Sequence, residues 1–370
     1  MKHPKRWEHQ HEPTPEGDEW IAFGGQHLWV AGFTEAGFPY GLTEEEFRAA
    51  NARYDPEAGW ARARRILETV IRKSVAPSAV VDIGYVKKMG EGLSRDIFAA
   101  QVEIAVSSTR GVYEIAILLP RGCDPNIDER TRKEARLLAD LATMGLPFRV
   151  PRIFGVWPDA GHLALIRGFE RGVELDLRAG RQARVRPWET VAKIAVTIHG
   201  ITTNNLPWLE PRYSTRRDHA LAAIREFDEI CNEPEATDAR AWMQEHLPPA
   251  GPSTFIHGDL LGQNILLRLG EPDAVIDWEY AQFGDPAHDL AIVTRGVRRP
   301  FQIAGGMDRL LEAYAQAGGA EMEVAHVHLH ELALAARWYQ DALNGDSPHA
   351  PAQQLQFLRS LLRRASTGAS

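Results

Sequence analysis

Residues 255–279 read FIHGDLLGQNILLRLGEPDAVIDWE. Two apolar runs, 265–267 and 274–276, flank Gly270, Glu271, Pro272 and Asp273, strong turn chemistry for a β-hairpin. A turn centred there pairs residues whose numbers sum to about 541, setting Asn264 opposite Asp277 with Cβ atoms roughly 5 Å apart. An amide oxygen and a carboxylate at one end of a hairpin suit a hard divalent cation such as Mg²⁺, which takes oxygen ligands and keeps phosphate and water oxygens in its shell. Asp259, five residues before Asn264, can face the same point and accept or orient the proton of an attacking hydroxyl. Singly, each residue has a structural use: Asp259 capping a turn, Asn264 bonding its own backbone, Asp277 ending a strand. Together, the H-x-D-x-x-x-x-N spacing, the hairpin and the apolar-flanked aspartate agree on phosphoryl transfer.

Composition is compatible with this reading. The chain has 370 residues, 44% hydrophobic and 25% charged, enough for a sizeable core and two domains. A formal net charge of −8 argues against a nucleic-acid partner and leaves room for a cationic small molecule. No apolar run approaches the roughly 18 residues of a membrane span, and the first twenty residues lack a signal-peptide centre, so a soluble cytoplasmic protein with no membrane partner is expected. Two cysteines, Cys123 and Cys231, are too few for a disulfide framework and are expected to pack.

Residues 1–42, rich in Gly, Pro, His and Trp, have no sustained period and read as an irregular extension. Thr43 with Glu46 forms a capping-box pattern for a short helix, and a second helix is expected over 58–73. Strand patterns cover 80–89, 97–106 and 112–119, an antiparallel sheet with short turns. A helix follows Asp128 and stops at Gly145. Strand candidates at 153–157 and 162–167 lead to a connector, and from Trp188 helical periods dominate. The expected fold is α+β: a small antiparallel sheet lobe with one helix, then a larger, mostly helical lobe that carries the hairpin. The divisions are 1–75, an N-terminal extension with helices; 76–167, the sheet lobe; and 168–370, the helical lobe.

HGDLLGQN resembles the catalytic loop of the aminoglycoside phosphotransferase and choline kinase-like enzymes, and VIDWEYAQFGDPAHDLA is similar to their metal-binding segment. These enzymes share the protein-kinase-like fold, and the resemblance implies 76–167 as a nucleotide-binding lobe and 168–370 as a helical lobe with the catalytic loop and acceptor pocket. The resemblance spans about residues 80–345. It implies Asp259 as catalytic base, Asn264 and Asp277 as Mg²⁺ ligands, His257 as the residue that shapes the loop, and Asp285 and Asp289 as groups holding the helical lobe together. IAVTIHGI, with His199, is similar to the helix that precedes the family's substrate region. The implied activity is transfer of the γ-phosphate of ATP or GTP to a hydroxyl of a small acceptor.

The amino-terminal half carries fainter signals. Gly90 and Gly92 lie between two strand patterns, as a loop over phosphates needs, and Ser94 could add a hydroxyl; an ordinary hairpin turn is the alternative. Glu134, in the helix after the third strand, is expected to pair with a basic residue on that strand, or else with Arg130 on the helix surface. Where the family's third strand carries Lys or Arg two residues before a proline, this chain has Leu118. Arg121, Lys87 or Lys88 could supply the missing charge. The connector LALIRGFERGVEL offers backbone groups from Arg167 through Phe169 to Gly172 that could read an adenine or guanine edge.

For the acceptor, Glu226, Asp228, Glu229, Glu233, Glu235 and Asp238 form either an acidic wall suited to an aminoglycoside-like amine or a solvated helix face. Trp188, Trp208, Tyr213, Trp242 and Trp338 could line a pocket for a macrolide or be core. Two readings from other classes remain at this point: a metal-dependent phosphohydrolase built on His257, Asp259, Asp277, His288 and Asp289 around Zn or Mn, and a catalytically silent nucleotide-binding protein.

Overall fold

The computed structural model describes residues 20–23, 26–33, 39–43, 56–74, 80–91, 95–106, 109–121, 126–159, 162–177, 186–228, 230, 233–295, 301, 303, 305–345, 347 and 349–367. Both cysteines and the Glu46 half of the Thr43 capping box lie outside them. The expectation of an irregular start is corrected: strands β1 (Trp20–Phe23), β2 (Gln26–Phe33) and β3 (Pro39–Thr43) form a three-stranded antiparallel sheet, with Thr43 as its last residue. The glycines and Pro39 that read as loop chemistry sit within or beside these strands, and β2 carries a register shift between Val30 and Gly32.

Helix α1 (Pro56–Ser74) repeats its apolar residues every three or four positions, and Ala63, Ile66, Leu67, Val70 and Ile71 are all buried on one stripe. That stripe covers the outer face of a five-stranded antiparallel sheet ordered β4 (Val80–Glu91), β5 (Arg95–Val106), β6 (Thr109–Pro120), β8 (His162–Gly168) and β7 (Ile153–Asp159). The period-2 alternation of strands sorts the two faces. Phe98, Ala100, Val102, Ile104, Ile115, Ile117 and Leu119 pack toward α1. Ala116, Leu118 and Leu165, with Ile97 and Phe169 against them, form a separate apolar cluster on the opposite face. The helix expected within the extension is therefore part of this lobe's core.

Helix α2 (Ile127–Leu141) follows the sheet's third strand. It ends four residues before Gly145, which closes the turn at φ +63. Its Leu137, Leu138 and Leu141 enter the core of the second lobe, tying the two lobes together. That lobe contains α3 (Pro187–His199), α4 (Arg216–Arg225), α5 (Pro234–Glu245), α6 (Ala287–Arg295), α7 (Gly306–Gln316), α8 (Val324–Leu343) and α9 (Pro351–Thr367). Among and beside them run five short strands in the described residues. β10 (Thr254–Ile256) pairs with β13 (Gln282–Gly284), and β11 (Ile265–Leu267) lies between β12 (Ala274–Val275) and β9 (Val173–Glu174). This is the two-lobe, protein-kinase-like arrangement. No described helix is long and apolar enough to cross a membrane.

Candidate active site

The chain leaves β10 at Ile256 and reaches β11 at Ile265 through a tight loop that closes in a 3-10 turn, Gly262–Asn264. Gly258 makes the tightness possible: its φ is +80, and a Cβ there would stand 2.4 Å from the Tyr280 carbonyl oxygen. From below, Asp289 on α6 holds the loop. Its Oδ2 accepts from the His257 N–H and its Oδ1 from the Gly258 N–H, both at 2.8 Å. His199 Nε2 lies 3.2 Å from the same carboxylate, and its Nδ1 is 2.7 Å from the Tyr314 hydroxyl. Burial alone would raise the Asp289 carboxyl; the hydrogen bond and charge of His199, with His257 and His288 nearby, outweigh it and hold the group below its ordinary range.

His257 is fully buried against Trp278, and both of its nitrogens are engaged. Nε2 lies 3.1 Å from the Ile276 carbonyl and Nδ1 accepts from the Asp259 N–H at 3.3 Å. The imidazole braces the loop. Asn264 Nδ2 donates to the Asp259 backbone oxygen at 2.8 Å and to Asp259 Oδ2 at 3.0 Å, so the two residues five apart in sequence are brought together. Burial pushes the Asp259 carboxyl up to about 6; the Asn264 bond opposes this, and Glu279 and Asp289 add repulsion.

The hairpin register differs from the expected one. Ile265 pairs with Val275 and Leu266 with Ala274, so partners sum to 540 and Asn264 faces Ile276, whose N–H it accepts at 3.0 Å. A one-residue slip in a regular ladder would carry Asp277 to the other face. The ladder stops before that point: Asp277 adopts φ +70, a left-handed conformation uncommon for a residue with a Cβ. Its carboxyl is buried beside Glu134, Glu279 and Asp259. Burial first, then repulsion from those three, pushes it up to about 7 against the pull of Arg167.

Glu134 and Arg167 complete the cleft from the sheet lobe. Glu134 is buried, and its partner is neither Arg130 nor a residue of the third strand but Arg95, the first residue of β5. Arg95 Nη1 donates to Glu134 Oε2 at 2.5 Å, Nη2 donates to Thr131 Oγ1 at 3.1 Å, and Nη2 lies 3.7 Å from Glu279 Oε2. The proposed substitutes do not fill this place: Lys88 and Arg121 each lie 3.4 Å from Asp96, and Lys87 is exposed. Arg167 brings its side chain, not only its backbone, to the acids; burial lowers its guanidinium against the attraction of Glu134 and Asp277. Phe169 packs beside Leu118 and donates its N–H to the Glu114 carbonyl, so this connector donor is committed within the protein, as is that of Gly168. Gly90 pairs with Ile97 near the end of β4, and Gly92 and Ser94 lie outside the described residues. Sequence reasoning missed Arg95 and Glu279; the i, i+2 spacing of Arg95 to Ile97 and of Asp277 to Glu279 was the available signal.

Residues 123–328 match the family model of the phosphotransferase enzyme family. The chain belongs to that family. It is an aminoglycoside phosphotransferase and choline kinase-like protein, an enzyme that transfers phosphoryl groups to hydroxyls of small molecules. Among solved structures it is similar to macrolide 2'-phosphotransferase MphH from Brachybacterium faecium, at 21% identity over 80% of this chain and 96% of that one, with TM-score 0.55. It is also similar to choline kinase LicA from Streptococcus pneumoniae, at 13% identity over 81% and 99%, TM-score 0.54. A third is APH(2")-IIa in its ternary complex with streptomycin and ATP, at 14% identity over 76% and 92%, TM-score 0.51. At these identities the likeness carries the fold. No curated protein matches the sequence.

The arrangement of histidines in this phosphotransferase speaks against the transition-metal hydrolase. His257 and Asp289 are engaged with the loop backbone, and His288 Nε2 lies 3.3 Å from the Gly258 carbonyl. Below the loop, His219, His288 and His330 bring one ring nitrogen each within 4.8 Å of one another. His219 Nδ1, however, accepts the Asp285 N–H at 2.9 Å, which leaves the ring proton on Nε2, and His330 Nε2 is paired with Asp285 Oδ2 at 3.1 Å. Arg216 lies 3.1 Å from the other Asp285 oxygen. The trio is a packed brace, with His288 held down to about 4 chiefly by burial.

The acidic stretch 226–238 is matched only in part: Glu226 lines a cavity and Glu229 lies outside the described residues. Asp228 pairs with Arg240 at 2.6 Å, Glu235 with Arg359 at 2.6 Å, and Glu233 accepts the Tyr339 hydroxyl at 2.7 Å. Of the aromatics, Trp188 packs on Phe301, Trp208 donates to Asp140 at 2.5 Å and Trp242 stacks on His246, while Tyr213 stacks on His219 and lines a cavity of about 640 Å³ with Arg212, Asp218, Leu221, Arg225 and Gln340. Neither Asp259 nor Asp277 lines that cavity.

Proposed function

We propose that the protein is a small-molecule kinase. The γ-phosphate of ATP or GTP passes to an acceptor hydroxyl: the acceptor O–P bond forms, the bond from Pγ to the bridging oxygen breaks, a nucleoside diphosphate leaves, and the hydroxyl proton goes to Asp259. The observation that carries this is the hydrogen-bonded Asp259 and Asn264 pair beside Asp277 in one buried acid cluster. A carboxylate raised to about 6 is ionised at neutral pH yet basic enough to take a proton.

The residues fit Mg²⁺. The donors are all oxygen, Glu134 Oε1 and Glu279 Oε2 are buried without a hydrogen-bond partner, and four clustered carboxyls repel one another. Asn264 and Asp277 would hold the ion, which would neutralise phosphate charge. Phe169, half-buried against Leu118, would offer an apolar surface for the nucleobase, and the segment containing Gly90, Gly92 and Ser94 would cover the phosphates. Asp228 and Glu235, each ion-paired within the protein, do not stand as a free acidic wall, which supports an acceptor selected by shape and hydrogen bonding over a polycation. Incubating the protein with ATP or GTP, with and without chelator, against aminoglycosides, macrolides and amino alcohols tests the reading. Acceptor-dependent, Mg²⁺-dependent diphosphate release is expected; release unaffected by chelator would overturn it.

A further inference from the structure

A kinase that holds a triphosphate needs a cation in the roof of its cleft, and the third strand presents Leu118 there. Leu118 pairs directly with Ile97 of β5, and both belong to the apolar cluster on the sheet face opposite α1. Arg95 is two residues along from Ile97, so it shares that face, and it pairs with Pro120. It is thus the diagonal neighbour of Leu118, a separation of roughly 7–8 Å between backbones that a long side chain spans. Lys88 pairs with Phe98 on the α1 face and is held by Asp96, as is Arg121. The register thus leaves two cations diagonal to Leu118, Arg95 on β5 and Arg167 on β8, and of these Arg95 is the one anchored on Glu134.

The guanidinium's partners point the same way. Two of its nitrogens reach Glu134, Thr131 and Glu279, while its Nε is buried with no hydrogen-bond partner. A planar fork that has one edge fixed on a carboxylate still presents N–H groups for a phosphate oxygen, which a lysine so anchored would do with less directionality. We infer that Arg95 has taken over the nucleotide-phosphate contact from the third strand, with Glu134 as the group that aims it. This rests on the kinase reading above and adds to it the residue that grips the phosphates.

The test is titration calorimetry of ATP and GTP, and of the corresponding nucleoside without phosphates, with wild type and variants. Arg95→Ala is expected to weaken triphosphate binding about 10- to 100-fold while leaving the nucleoside's affinity within about two-fold. Arg95→Ala/Leu118→Lys returns the charge to the third strand and is expected to recover most of the loss; Lys88→Ala and Arg121→Ala should match wild type. Because Arg95→Ala leaves a buried carboxylate unpaired, Arg95→Gln/Glu134→Gln, which removes both charges, is measured alongside and should show the same phosphate-selective loss. Equal weakening of nucleoside and triphosphate, or no weakening in either variant, overturns the inference while the kinase reading stands. A wild type that binds no nucleoside triphosphate overturns both.

Discussion

Asp289, fully buried, and Asp277, half-buried, lie within one short segment, and their surroundings treat them in opposite ways. Under the loop, Asp289 accepts two backbone N–H bonds and faces His199, and its carboxyl is held below the ordinary range. In the cleft, Asp277 stands among Glu134, Glu279 and Asp259 and is pushed up to about 7. A carboxylate whose oxygens are satisfied by the fold is a strut. One left among its own kind, in a strained backbone, is a site that a cation would relieve.

The largest expected effect that separates the two is on stability. Asp289→Ala strands two buried N–H groups and a histidine, and should cost about 3–5 kcal/mol in denaturant unfolding. Its lowered folded value means the carboxylate's contribution is present above its unfolded value near 3.8 and lost as pH falls through the folded one. Asp277 has the opposite sign. Raised from 3.8 to about 7, it stabilises the metal-free protein fully below 3.8 and loses that contribution as pH rises through 7. Asp277→Asn should therefore raise Tm at pH 8 by roughly 2–4 °C in chelator while abolishing turnover with Mg²⁺. A lowered Tm would make Asp277 a second strut and erase the contrast.

A smaller effect follows from Asp259. With its carboxyl raised to about 6, and with Mg²⁺ saturating so that Asp277 is already ionised, kcat/KM should rise through a single ionisation near pH 6 and level off above it. An acid limb near pH 4 would show that burial does not govern this group.

The parts of the site that lie close in sequence were legible, and the parts joined across the sheet were not. Asp259 and Asn264 are linked by a spacing that any reading of the loop contains, and Asp289 was expected to hold the lobe together. The pairing of Asn264 with Asp277 came one residue out because a sum rule assumes an ideal turn, while the ladder has two pairs and Asp277 leaves it at φ +70. Arg95 and Glu134 are 39 residues apart. Their meeting depends on which face β5 turns inward and on where α2 lands, neither of which local pattern encodes. The early strands were hidden because glycine and proline read as loops, although three neighbouring strands accommodate them.

The central claim rests on Asp259, and Asp259→Asn tests it most directly because shape is kept and only charge and basicity are lost. In single-turnover transfer to the best acceptor, the rate should fall by about 10² to 10⁴, with triphosphate affinity within a few-fold of wild type. Transfer at the wild-type rate would contradict the assignment of this loop and, with it, the proposed reaction.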